Sequence, residues 1–148
     1  MKGTIKSFDE KLYNKYDIPA RNLIKEKLGD IVEDNPDIYA QDLLLKYDGC
    51  KYKYIELQVC ATWFGEGYPY DKPFVFERKA KFSVDTLYFI FDKHMKKCLI
   101  FNRNSLYQQP RRYAKYSRWF VYDVPWHCIL PVTIEELSRE TLLLYTVK

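Results

Sequence analysis

Apolar residues recur at helical spacing early in the chain, as Leu23, Ile24 and Leu28. Pro19 sits where a first helical turn tolerates it and Gly29 can end the segment, so the pattern predicts a helix over residues 18–29. Residues 33–37, acidic and proline-containing, read as a connection. Two apolar-rich runs follow, 41–47 and 51–60, parted by Asp48-Gly49-Cys50, a turn signal that predicts a β-hairpin. The second run alternates strictly, with Ile55, Leu57 and Val59 on one face and Glu56 and Gln58 on the other. Residues 63–73 read as a loop from their glycines and prolines, and 74–84 is open between strand and short helix. A second hairpin is expected from 86–91 and 98–101 around residues 93–96, then a strand over 119–124. Thr133 and Glu136 form a capping-box pattern predicted to open a last helix reaching about Leu144. This order predicts a single α/β domain.

Composition refines that picture in three places. The length of 148 residues suits one domain with a core large enough to fold without staples. The 14 tyrosines suit half-buried sheet positions or surfaces that stack on bases, and composition does not separate the two uses. From Lys93 to Tyr122 there are eight Lys or Arg and no Asp or Glu, against a net charge of +4 for the whole chain, so the remainder is net acidic. No apolar run approaches the roughly 18 residues that cross a bilayer, and the opening residues are too charged for a signal peptide. The expectation is an intracellular protein, in the cytoplasm or nucleus, with no membrane partner. Cys50, Cys60, Cys98 and Cys128 lie far apart and His94 and His127 stand isolated, which predicts reduced thiols and neither a zinc knuckle nor a disulfide framework.

The candidate chemistry lies in the first hairpin. If it pivots on Gly49, Asp42 and Glu56 are mirror images and face each other across the strands at a Cβ separation of about 5 Å. A two-residue turn at Asp48-Gly49 would instead set Asp42 opposite Ile55, which the apolar pattern disfavours. Two facing carboxylates repel and need a cation, a shared proton or full solvation. Mg²⁺ or Mn²⁺ held by carboxylate oxygens is the solution that serves phosphate chemistry; two solvated acids on a hairpin face is the alternative.

An acidic residue opening a strand, a hairpin, and then Glu-x-Lys in the next strand is the signature of the PD-(D/E)XK nucleases. Asp42 followed by Glu56-Leu57-Gln58 resembles it, and the helix at 18–29 stands where that family has its first core helix. The likeness covers roughly residues 18–102, leaving a basic, aromatic extension over 103–148. It implies a restriction-endonuclease-like core, a central mixed β-sheet flanked by helices. It also implies that Asp42 and Glu56 hold the metal and that Gln58 takes the place of the lysine that orients the attacking water. Pro36-Asp37 spells part of the motif literally but lies outside the hairpin, so Asp42 is preferred. Glutamine at position 58 lacks the charge that would stabilise a developing anion, and Lys79 or Lys81 are the candidates to supply it. Glu26 on the first helix is a further acidic candidate.

Arg111, Arg112, Lys115 and Arg118, interleaved with tyrosines, form a track suited to phosphates and bases, with a solvated loop as the alternative. The implied function is a metal-dependent endonuclease acting on nucleic acid, DNA ahead of RNA, with a homodimer expected of an enzyme that cuts both strands. A nucleic-acid-binding module of the same fold without turnover, and a protein-interaction protein, are the alternatives.

Overall fold

The fold is described from a computed structural model covering residues 13–114 and 118–146. A π-helical turn at Tyr13–Asp17 leads into helix α1, Ile18–Leu28. Its residues Ala20, Ile24 and Leu28, four apart, form the buried stripe that the sequence spacing predicts. Strands β1 (Val32–Asp34), β2 (Leu43–Leu45) and β3 (Tyr54–Cys60) then form an antiparallel meander. A long loop brings the chain to β4 (Phe74–Phe76) and the one-turn helix α2 (Glu77–Ala80), so the ambiguous segment is both strand and helix. Strand β5 (Thr86–Asp92) returns parallel to β3 and pairs antiparallel with β6 (Lys97–Asn102).

The segment beyond residue 102, expected as an extension, contributes to two sheets. Strands β7 (Arg111–Arg112) and β8 (Phe120–Asp123) join β4 in a small sheet of order β4-β8-β7. Strand β9 (Leu130–Thr133) completes a six-stranded mixed sheet of order β1-β2-β3-β5-β6-β9. The molecule is thus an α/β domain with a mixed central sheet. Strands β1 and β9 carry no clear strand signal. Glu33 and Asp34 are tolerable in β1 because it is an edge, and Pro131 in β9 for the same reason.

Two apolar clusters sandwich the sheet. Helix α1 and the C-terminal segment pack on Leu43, Ile55, Leu57, Phe89 and Ile100. Trp63, Val75 and Ala80 pack on Tyr88, Ile90, Leu99 and Phe101 from the other side. Strand β5 is buried along its whole length, which explains its unbroken apolar run. The capping box at Thr133 is present, with reciprocal Thr133 and Glu136 hydrogen bonds, but opens a 3₁₀ turn at Ile134–Glu136 and not the final helix. Leu137 is drawn into the core in extended backbone, ψ 120°, which halts the turn, and helix α3 begins afresh at Arg139–Thr146. Among the described residues no helix is long and apolar enough to cross a membrane.

Gly49 turns the first hairpin at φ 83°, with the Cys50 N–H donating to the Tyr47 carbonyl at 2.9 Å. An added Cβ there would meet no atom, so the cost of a side chain is conformational only. Gly49→Ala is expected to destabilise the fold by about 1 kcal/mol, read as a lower urea midpoint with an unchanged m-value; no change would show that the turn relaxes freely.

Candidate metal and phosphate site

Strand β2 is short, and that shortness builds the site. Its register, Leu43 opposite Ile55 and Leu44 opposite Tyr54, is the one that pivots on Gly49. Carried one residue further, it sets Asp42 against Glu56. The Asp42 N–H donates to Glu56 Oε1 at 3.3 Å, and the Leu57 N–H, beyond the last ladder residue of β2, donates to Asp42 Oδ2 at 2.9 Å. The carboxylate thus caps an open strand edge.

Each acid has a basic partner from a different element. Arg21 of helix α1 donates from Nη2 to Asp42 Oδ1 at 3.0 Å and from Nη1 to the Asp42 carbonyl at 2.8 Å. The same guanidinium reaches Asp34 Oδ1 at 3.4 Å, and Lys25, one turn on, holds Asp34 at 2.7 Å. Lys25 beside it keeps the Asp34 carboxyl below its ordinary range. Lys79 of helix α2 places Nζ 3.1 Å from Glu56 Oε2 and 3.3 Å from the Leu57 carbonyl oxygen. Tyr88, paired with Glu56 on the neighbouring strand, donates its hydroxyl to the Lys79 carbonyl at 2.6 Å, which fixes the end of that helix.

The result is a row of alternating partners, Arg21, Asp42, Glu56 and Lys79. Glu56 is 7% exposed, and burial pushes its carboxyl up to about 7 even though the Lys79 ammonium pulls the other way; the neighbouring Asp42 adds to the rise. The fold therefore favours the protonated, neutral form of Glu56. Among the described residues no group of three or more His, Cys, Asp or Glu gathers at one point. The donors present are oxygens only, the two carboxylates and the Leu57 carbonyl. That set suits Mg²⁺ or Mn²⁺, ions that take hard ligands and keep several waters when one or two carboxylates bind them.

The other expected residues divide. Gln58 lies on β3 two residues past Glu56, on the same face and partly buried, opposite Ile90. Lys81 is exposed at the end of helix α2 and Glu26 is exposed on α1. Asp37 accepts from the Tyr39 N–H at 3.0 Å within its own loop. Arg111 is bound by Asp123 through two hydrogen bonds of 2.7 and 3.0 Å. Arg112 and Arg118 are exposed, and Lys115 lies outside the described residues. Arg21 was not anticipated, although its spacing of four from Lys25 on one helix face is a readable signal. Tyr88 and the Leu57 backbone carry no sequence signal of this role.

Comparisons with protein-family models, with curated proteins and with solved structures return no match to this chain. The functional reading therefore rests on the geometry.

Proposed function

We propose that this chain is a metal-dependent endonuclease of the PD-(D/E)XK type that hydrolyses phosphodiester bonds in nucleic acid, with DNA ahead of RNA. One observation carries the reading: an acid pair held across two strands has a lysine ammonium 3.1 Å from its buried member, although the strand itself offers glutamine at the expected position. Lys79 thus supplies the charge that Gln58 lacks, and Lys81 is spared that role.

A Mg²⁺ or Mn²⁺ ion on Asp42, Glu56 and the Leu57 carbonyl would lower the pKa of its water and offset charge on the reacting phosphate. The residues around it have separate tasks. The Leu57 N–H and Arg21 hold the Asp42 carboxylate in one orientation, so no side-chain entropy is lost on binding. Lys79, anchored through Tyr88, directs its ammonium to the same oxygens and can orient a nucleophilic water or meet the developing anion. Glu56 must be ionised to bind the ion, which ties activity to pH.

A second reading keeps the fold and loses turnover. It is favoured by the engagement of both Asp42 oxygens by protein donors. A panel of single-stranded, duplex and branched DNA and RNA, incubated with Mg²⁺, Mn²⁺ or chelator, separates the two. Cutting that appears with metal and vanishes with chelator supports the nuclease. Metal-independent cutting, or none on any substrate, rejects it.

A further inference from the structure

The small sheet presents a surface that the acid pair does not use. In β4 Val75 points into the second apolar cluster, so Phe74 and Phe76 project from the opposite face. Register places Arg111, Val121 and Asp123 on that same face. Tyr113 and Trp119, tied by the Tyr113 N–H donating to the Trp119 carbonyl at 2.8 Å, lean over it. Tyr113 lies 5.5 Å from Phe74 and 5.3 Å from Phe76, and Trp119 lies 5.3 Å from Phe76, the last two contacts nearly perpendicular. Phe76, Tyr113 and Trp119 remain half-exposed.

Guanidinium groups are threaded through this surface. Arg78 sits over the Phe76 ring at 5.6 Å and Arg111 over Phe74 at 5.7 Å. Arg118 is exposed in the turn before Trp119, whereas Arg112 lies over Phe120 at 5.0 Å on the opposite face. Asp123, the single acid in the three strands, is neutralised by Arg111. The surface is therefore aromatic and cationic together.

We infer that this face binds single-stranded nucleic acid, with bases stacked on Phe76, Tyr113 and Trp119 and the backbone held by Arg78 and Arg118. The inference deepens the nuclease reading and rests on it for the role of the bound strand, but the binding itself does not need turnover. Stacking requires base faces that a duplex keeps hidden, whereas duplex binding draws mainly on cations free to meet phosphates. Here Arg111 is committed to Asp123, which weakens the duplex mode and leaves the stacking mode intact. Phe76 immediately precedes helix α2, which carries Lys79 three residues on, a rise of about 5 Å.

The test is fluorescence anisotropy in chelator, so that cleavage plays no part. The probes are a labelled oligothymidine of about 12 nucleotides and a duplex of the same length. Wild-type protein is expected to bind the single strand more tightly than the duplex and to show Trp quenching. Trp119→Ala and Tyr113→Ala should each weaken single-strand binding about tenfold or more in protein that remains folded, while Trp119→Phe should retain most of it. Equal or tighter duplex binding, no binding of either probe, or affinity indifferent to both alanine variants would overturn the inference. Single-strand binding that the variants lose, in a protein that cuts nothing with metal, would instead reject the nuclease reading alone.

Discussion

Asp42→Asn is expected to lower metal-dependent cleavage about a thousandfold while the chain stays folded. The amide still offers an oxygen to the Leu57 N–H but loses the charge that binds both the ion and Arg21. Asp42→Ala goes further, leaving that N–H unpaired and Nη2 of a largely buried guanidinium without its carboxylate, and should also cost about 2–3 kcal/mol of stability. The estimate stays modest because Arg21 keeps Asp34 at 3.4 Å and Asp42 is itself 23% exposed in its side chain. Lys79→Ala should depress cleavage strongly and Lys81→Ala hardly at all, since only Lys79 touches the pair. Rates from single-turnover assays, read beside urea midpoints, separate chemistry from folding. Wild-type cleavage by purified Asp42→Asn or Lys79→Ala protein would remove these residues from the reaction.

The acid pair was legible because strand alternation and a single glycine turn constrain register tightly. Ile55 and Leu57 had to face the core, which turned Glu56 the other way, and the seven-residue symmetry about Gly49 then selected Asp42. What surrounds the pair was hidden for a different reason. Arg21 comes from helix α1 and Lys79 from a one-turn helix reached through a long loop, and no local pattern reports where such long-range partners land. The same holds for Tyr88, whose place opposite Glu56 depends on β5 returning parallel to β3. Strand β9 escaped notice because Pro131 argues against a central strand and says nothing against an edge. The arginine track was visible as charge, but the pairing of Arg111 with Asp123 and the ring face beneath it depend on the small sheet.

Glu56 should make stability fall as pH rises, the reverse of most paired carboxylates. In the unfolded chain it ionises near 4.5, and in the fold burial raises that to about 7. Between those values the folded protein retains a proton that the unfolded chain has released, so its stabilising effect is full below about pH 4.5 and lost by the time pH passes about 7. The difference amounts to about 3 kcal/mol at most. Glu56→Gln removes this slope: the variant's Tm should change little between about pH 5 and about pH 8, while the wild type declines across that range. Parallel curves for the two proteins would mean that Glu56 is ionised throughout. Metal provides the complementary reading. Mg²⁺ competes with the proton, so its stabilisation of the wild type should grow as pH rises through about 7 and should be absent in Glu56→Gln at every pH. A Tm gain from Mg²⁺ that persists in the glutamine variant would place the ion elsewhere.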